Sequence, residues 1–274
     1  MSRGGDFPPR IQSLLLGGSL YNRNEETGRI RHEVSGRRAL RSLIDLNPFL
    51  IRIMPSHKQE LIASAQVRTH QRMYQLRGSN SSMVHIVLGG CVMEEPVYGE
   101  AATTRIHGVG AVLGDIEVLS PDVHTPITRS LNMTVTLALS LERMRGLADV
   151  YPSIAMAIGQ AVTERIAVAE RVYNRHALPT DRRLAGLFTY LLEHCSVPSV
   201  RYGRRLEGLS QGDLADALSV SRATIETAVR TLRDRGLLVT GYRTYEFPSE
   251  RKLAEVGKVR IPQQMVTGEA SETI

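Results

Sequence analysis

The stretch "LSQGDLADALSVSRATIETAVRTLRDRGLL", Leu209–Leu238, decides the fold because it carries the start and stop signals of two short helices. Ser210 is followed three residues later by Asp213, a pairing that predicts a helix start of the capping-box kind. Ser221, after the turn "SVS", predicts a second start, and Gly236 predicts the end of that helix. Two short helices joined by a tight turn are typical of a helix-turn-helix.

The outer face of the second helix, residues 221–235, suits the major groove of DNA. Arg222 can reach guanine O6 and N7, Glu226 can accept a hydrogen bond from cytosine N4, and Thr227 can touch a thymine methyl. The other predicted DNA contacts are Ser210, Gln211, Ser221, Ala223, Arg230 and Arg243. The last of these lies in "LLVTGYRTYEF", which predicts two strands around Gly241, a wing against the DNA backbone. An ordinary helical hairpin with a solvated basic face is the alternative.

Charge favours the same kind of partner. The chain has 274 residues, a net charge of +6 and a pI near 9.6, and its only lysines are Lys58, Lys252 and Lys258. Arginine presents a planar fork of donors that matches phosphate groups and guanine edges, so a polyanionic partner is indicated. With 42% hydrophobic and 5% aromatic residues, the chain is long enough for two domains whose cores are mainly aliphatic.

The sequence lacks the motifs that are typical of several functional classes. Cys91 and Cys195 stand outside any paired motif, so neither a disulfide framework nor a zinc ribbon is encoded, and both thiols are expected to be free. The eight histidines form no ligand-spaced pair, and we expect no metal site. The sequence contains no Walker loop, no nucleophile elbow and no apolar run approaching the ~20 residues that cross a bilayer. We therefore expect a cytoplasmic protein that is not an enzyme and does not enter the membrane.

Changes of composition divide the chain into five parts. Residues 1–41 mix turn formers with charge, which predicts a basic, flexible extension. Residues 42–148 contain short apolar runs separated by glycines, such as "MVHIVLGGCVM" and "NMTVTLALSL", whose alternation predicts an antiparallel β sensor domain. A long helix at residues 149–176, a winged helix-turn-helix at 177–248 and a tail at 249–274 follow.

The long helix, within "VYPSIAMAIGQAVTERIAVAERVYNR" at Val150–Arg175, has Pro152 in its first turn and two apolar rows. One row is Ile154, Ile158, Ala161, Arg165, Val168 and Val172. The neighbouring row is Ala155, Gly159, Val162, Ile166, Ala169 and Tyr173. If one row packs on the chain's own β domain, the other can meet an identical helix, which predicts a homodimer. A core helix that buries both rows is the alternative.

The helix-turn-helix stretch resembles that of the cyclic AMP receptor protein and FNR family of bacterial transcription regulators, in "SRAT" at the start of the second helix and "GLL" after its end. Upstream, "VLGGCV" is similar to the family's β-roll turn, and "HGVGAVLGDI" to its approach to the nucleotide cassette. The resemblance covers roughly residues 42–247.

This resemblance implies an α+β fold with an N-terminal cyclic-nucleotide-binding-type β-roll, a long dimerisation helix and a C-terminal winged helix-turn-helix. It also implies a homodimeric transcription regulator that reads a two-fold symmetric operator on double-stranded DNA, with RNA polymerase as a further partner. Ser219 stands where the family's turn usually has Gly, and Thr227 where the receptor protein has a base-reading Arg. We therefore expect the helix-turn-helix to form and its DNA half-site to differ from that of the receptor protein.

For the β-roll, the resemblance implies an effector site at Gly114, Asp115, Arg129 and Ser130. However, Asp115 is one methylene shorter than the family's Glu, and the loop to Arg129 is longer. At the positions that would face adenine, Ala169 cannot form the expected hydrogen bond and the Glu170 carboxylate would lack a donor. We therefore expect the effector to be another nucleotide or small anion rather than cyclic AMP.

Two rival functions stay open. One is an effector-independent DNA-binding regulator with a vestigial pocket. The other is a nucleotide-sensing regulatory protein whose C-terminal domain binds protein. A steep salt dependence of duplex binding separates DNA binding from protein binding, because neutralising phosphates releases counterions.

Overall fold

The computed structural model describes residues 39–78, 80–95, 104–120 and 126–258. The chain divides into two compact units, Met1–Ile166 and Ala167–Ile274. Most of the expected N-terminal extension and residues 259–274 of the expected tail lie outside the described residues. No helix of the described segments is long and apolar enough to span a membrane.

The N-terminal unit opens with helix α1 at residues 39–45, a 3-10 turn at Leu50–Arg52 and helix α2 at Pro55–Ala63. Pro55 begins α2. The first residue of a helix donates no intrahelical hydrogen bond, so the missing N–H of proline has no cost there. Leu40 of α1 is buried in the core of this unit. The unit therefore starts before residue 42, where the sequence placed its boundary.

Eight strands within the described residues form two antiparallel sheets. They are β1 Gln66–His70, β2 Gln75–Arg77, β3 Met83–Gly89, β4 Val92–Glu95, β5 Arg105–His107, β6 Val112–Leu113, β7 Ile127–Ser130 and β8 Thr134–Ser140. One sheet has the order β1-β8-β3-β6 and the other β2-β7-β4-β5. Because the chain passes repeatedly from one sheet to the other, the strands wind into a roll, and the predicted β-roll is confirmed.

The core of the roll is completed by helices α3 Asp115–Leu119, α4 Leu141–Val150 and α5 Pro152–Val168. Ser140 caps α4, since its hydroxyl accepts from the Arg143 backbone N–H at 3.1 Å. Ile154 and Ile158 of α5 are fully buried in the same core as strands β3 and β8. The first predicted row therefore packs on the roll at Ile154, Ile158 and Ala161. The long helix begins at Pro152, and its α-helical part ends at Val168.

The C-terminal unit begins with a π turn at Ala169–Tyr173 in place of the last turn of the expected helix. It continues with α6 Thr180–His194, β9 Val197–Ser199, β10 Gly203–Glu207, α7 Gln211–Leu218, α8 Arg222–Asp234, β11 Val239–Gly241, β12 Thr244–Glu246 and α9 Glu250–Gly257. The sheet order is β11-β12-β10-β9. Phe188 of α6 packs on Tyr245 and Phe247, with ring centroids 5.0 and 5.2 Å apart, so the winged domain is built around α6.

Helix α9 extends the C-terminal unit beyond residue 248, where the sequence analysis placed the start of a tail. Ser249 caps it, and Leu253 and Ala254 are buried. Gly257 lies so close to α6 that a Cβ on it would stand 2.6 Å from the backbone nitrogen of Gly186. The domain boundary therefore lies after α9, because this helix packs directly on α6.

Candidate nucleic-acid interface and effector site

The first helix of the pair, α7, starts at the predicted capping box. The Ser210 hydroxyl accepts from the Asp213 N–H at 3.1 Å, and the Asp213 carboxylate accepts from the Ser210 N–H at 2.8 Å. Leu214, Ala215 and Leu218 are buried on the inner side of α7. The cap already uses part of the hydrogen-bonding capacity of the Ser210 hydroxyl. Its contact with DNA stays a prediction.

The turn to α8 forms as the sequence predicted. Ser219 adopts the left-handed conformation, with φ +51°, where Gly would carry no steric penalty. Ser221 caps α8, since its hydroxyl accepts from the Thr224 N–H at 3.1 Å. Gly236, with φ +65°, ends the helix, and the Leu237 N–H returns to the Leu232 carbonyl.

Helix α8 is divided into a buried and an exposed side. Its buried side consists of Ile225, Ala228, Val229 and Leu232. Its exposed side contains the predicted contacts Arg222, Ala223, Glu226, Thr227 and Arg230. Gln211 at the start of α7 is half-buried. The structure therefore places the predicted reading residues of α8 on one solvent-facing surface.

Two hydrogen bonds within α8 determine which groups of this exposed side remain available for a partner. Arg222 Nε donates to Glu226 Oε1 at 3.1 Å. The Thr227 hydroxyl donates to the Ala223 carbonyl at 3.1 Å. Because the hydroxyl donates its proton within the helix, the methyl is the main group with which Thr227 can recognise a base.

The wing is a hairpin of β11 and β12 with Tyr242 and Arg243 as its two-residue loop. Tyr242 is 90% exposed at the tip. Arg243 has φ +52°, and its guanidinium carbon lies 5.8 Å from the centroid of the Tyr242 ring. The side chain of Arg243 thus lies over a neighbouring ring, and its contact with a DNA backbone stays a prediction.

In the β-roll, the predicted effector residue Asp115 is buried and faces α5. Arg165 Nη2 lies 2.8 Å from Asp115 Oδ1, and Arg165 Nη1 lies 3.4 Å from Glu94 Oε2. Burial raises the pKa of Asp115 to about 6, although the charge of Arg165 opposes the rise. The carboxylate of this predicted effector residue is therefore engaged by an arginine of the same unit.

Glu94 carries the opposite pKa shift. Burial alone would raise its pKa, but His107, Arg165 and Arg105 together lower it to about 2. Glu94 Oε1 lies 3.7 Å from His107 Nε2, which is longer than an ordinary hydrogen bond. At neutral pH, Glu94 is thus the firmly ionised partner of Arg165.

A second buried ion pair lies beside the predicted Gly114. Arg77 Nη2 and Glu117 Oε1 are 2.9 Å apart, and their side chains are 1% and 6% exposed. Gly114 has φ +101°, and a Cβ on it would stand 3.0 Å from the Arg77 guanidinium. Arg77 therefore packs against the turn where the effector site was predicted.

The structure separates the predicted Arg129 from the rest of that site. In the pairing of β4 with β7, Arg129 lies opposite Met93 and Thr128 lies opposite Glu94. Since neighbouring side chains of a strand point to opposite faces, Arg129 shares a face with Met93 and Glu95. Its Nε donates to Glu95 Oε1 at 2.6 Å. Ser130 is fully buried and, like Thr128, lies on the other face, with Glu94.

Two further histidines are buried in the roll. His70 Nε2 and His85 Nδ1 lie 3.1 and 3.2 Å from the single hydroxyl of Thr136. Burial, aided by the charges of His70 and Arg77, lowers the pKa of His85 to about 3. In the described part of the chain, no group of three or more His, Cys, Asp or Glu side chains is placed to hold a metal ion. Cys91 and Cys195 are buried, and neither forms a disulfide within the described residues.

The sequence analysis missed the ion-pair partners of the roll, Arg77, Glu94, Glu117 and Arg165. Only Arg165 carried a usable signal, because an arginine interrupts an otherwise apolar helical row. The others stand in short strands or turns, and their partners are far away in sequence. Sequence patterns therefore do not show which of these residues form ion pairs with one another.

Comparisons with known proteins agree with this geometry. Residues 182–256 match the family model described as a Crp-like helix-turn-helix domain, a span that includes α7, α8 and the wing. No curated protein matches the chain.

Solved structures match over most of the chain. A CRP-family transcriptional regulator from Thermus thermophilus has a TM-score of 0.57 and 18% identity, over 70% of this chain and 96% of that one. The c-di-GMP responsive global regulator CLP of Xanthomonas campestris has a TM-score of 0.56 and 18% identity, over 72% and 100%. FixK2 from Bradyrhizobium japonicum has a TM-score of 0.55 and 15% identity, over 70% and 96%. At such identities the likeness concerns the fold.

Proposed function

We infer that this chain, a DNA-binding transcription regulator with a Crp-like helix-turn-helix domain at residues 182–256 and the fold of the CRP/FNR regulators, acts as a homodimer on a two-fold symmetric operator. The observation that carries the proposal is the exposed face of α8. It offers the Arg222 guanidinium, the Glu226 carboxylate and the Thr227 methyl on one surface, with Arg230 further along. These groups match guanine, cytosine, thymine and phosphate in turn.

The dimer rests on the free side of α5. Met156 and Ile166 are 64% and 61% exposed, although both are large and apolar. A second copy of α5 would cover them and set the separation of two recognition helices, which must match major grooves about 34 Å apart. Contact with RNA polymerase stays a prediction from the family resemblance.

For the β-roll we favour an effector-independent role over cyclic AMP sensing. Asp115 and Arg129 already have the internal partners Arg165 and Glu95. Asp115 shares Arg165 with Glu94, whereas strand alternation turns Arg129 to the face of the sheet opposite to Glu94. A nucleotide would have to break both ion pairs to bind there. Another nucleotide or small anion at the predicted site is the second candidate. Its support is the Ser130 hydroxyl, which is buried and has no hydrogen-bond partner among the described residues.

Duplex binding at increasing salt tests the DNA-binding proposal. We expect affinity to fall steeply with salt concentration, because each neutralised phosphate releases counterions. A protein that binds no duplex at low salt would contradict the proposal and favour a protein-binding C-terminal domain. Calorimetry with cyclic AMP and a panel of other nucleotides tests the effector, and heat of binding with cyclic AMP would contradict the effector-independent role.

A further inference from the structure

The contact between Arg222 and Glu226 on α8 determines more than the stability of one helix. Ser221 fixes the start of α8, so Arg222 occupies its first position and Glu226 lies one turn further on. Both side chains are exposed to solvent, at 73% and 46%. The pair therefore lies at the end of the helix that would enter a major groove first.

The direction of this contact matters. Glu226 Oε1 accepts from Nε of Arg222, the nitrogen nearest the side-chain stem. Among the described residues, neither terminal nitrogen of Arg222 has a partner. Because this contact engages Nε alone, the two terminal nitrogens remain available together as a fork of donors. That fork is the donor pattern which fits O6 and N7 of guanine.

Glu226 also retains recognition capacity of its own. One carboxylate oxygen holds Arg222, and the other has no partner within the described part of the chain. A carboxylate oxygen accepts from N4 of cytosine and cannot accept from the acceptor edges of guanine or thymine. Residues four apart on a helix are about 6 Å apart along its axis, less than two base-pair steps of about 3.4 Å. Arg222 and Glu226 can therefore address neighbouring base pairs.

We propose that Glu226 determines operator specificity in two ways: it positions the Arg222 fork for guanine, and it reads cytosine at a neighbouring base pair. The inference rests on the proposed DNA-binding function. In water an exposed pair of this kind stabilises a helix only slightly, but the pair gains strength where the groove excludes water. Holding the long arginine side chain in advance also lowers the entropy lost when it binds.

Binding-site selection on randomised duplexes tests the proposal with the full-length wild type, Glu226→Gln and Glu226→Ala. The wild type should select guanine and cytosine at neighbouring positions. Glu226→Gln should keep guanine and exchange cytosine for adenine, because the glutamine amide matches N6 and N7 of adenine. Glu226→Ala should lose the cytosine preference and about tenfold of the discrimination for guanine.

The matched control is Glu255→Gln on α9, which removes the carboxylate of another exposed arginine–glutamate pair, Arg251 with Glu255. Its selected sequences should equal those of the wild type. If Glu226→Ala selects the wild-type sequences and only binds all of them more weakly, the pair merely stabilises the helix and the proposal is overturned. If the wild type selects no sequence at all, the DNA-binding function itself fails, and this inference fails with it.

Discussion

Arg165 of α5 and Asp115 at the start of α3 form a buried ion pair, with Nη2 and Oδ1 2.8 Å apart and side chains 12% and 3% exposed. For the Asp115 carboxyl, lost hydration outweighs the attraction of Arg165, since burial raises its pKa to about 6 even beside that arginine. Glu94, on the other side of Arg165, has its pKa lowered to about 2. The pKa values of the two carboxyls beside Arg165 are therefore shifted in opposite directions.

Asp115 should make the protein less stable as pH rises. Its folded pKa of about 6 lies above the ordinary value of 3.8, so the folded state holds the proton more tightly. The stabilisation is complete below the unfolded pKa and is lost as pH rises through about 6. Relative to Asp115→Asn, the wild type should lose about 2 kcal/mol of unfolding free energy between pH 4 and pH 7. Urea unfolding of both proteins measures this, and a relative stability that increases with pH would show a depressed pKa instead.

Thr227 should read a base through its methyl group. Its hydroxyl proton is donated to the Ala223 carbonyl, so the methyl is the group left for a thymine. Thr227→Val should keep the base preference at that position. Thr227→Ser should lose about 1 kcal/mol of it, the value of one buried methyl. Competition binding with single-base variants of the operator measures the preference. A serine variant that behaves as the wild type, beside a valine variant that does not, would assign the reading to the hydroxyl.

Gly257 should be essential to the packing of α9 on α6. A Cβ at this position would stand 2.6 Å from the Gly186 backbone nitrogen, so Gly257→Ala should destabilise the C-terminal unit by about 2 kcal/mol. Gly146 in α4 is the control, because a Cβ there meets nothing within 4 Å. Gly146→Ala should be neutral or stabilising by up to about 1 kcal/mol. Thermal unfolding of the two variants measures both changes in stability. Equal changes would show that α9 does not pack on α6 as described.

Ile166 should lie in the dimer interface. It is 61% exposed on α5, and Ile166→Glu should convert the dimer to a monomer by placing a charge where two apolar faces meet. Leu119→Glu is the control, because Leu119 is also large, apolar and 52% exposed but lies in α3 and not in α5. Sedimentation velocity gives the oligomeric state. An Ile166→Glu variant that remains dimeric would place the interface elsewhere.

The sequence predicted the DNA-binding half well because its signals are local. Ser210 with Asp213, Ser221 and Gly236 each act within one helical turn, and each does so in the structure. Helix α9 was predictable on the same grounds, since Ser249 caps it just as Ser221 caps α8.

The effector site was not predictable in this way, because its geometry depends on strand parity and on distant partners. Arg129 and Ser130 are adjacent in sequence and were assigned to one ligand, but β7 turns their side chains to opposite faces. A strand at Ile127–Ser130 would have predicted this separation. The partners of Asp115 and Arg77, by contrast, are contributed by other elements, and only the folded chain brings them together.

The assignment of α8 as the recognition helix is tested most directly by the affinity and footprint of Arg222→Ala on the operator obtained by binding-site selection. The control is Arg251→Ala on α9. Arg222 is 73% exposed and Arg251 is 81% exposed, so neither change should disturb folding. We expect the wild type and Arg251→Ala to protect the same two-fold symmetric site, and Arg222→Ala to bind it at least about tenfold more weakly. Unchanged affinity and an unchanged footprint for Arg222→Ala would contradict the assignment of α8 as the recognition helix.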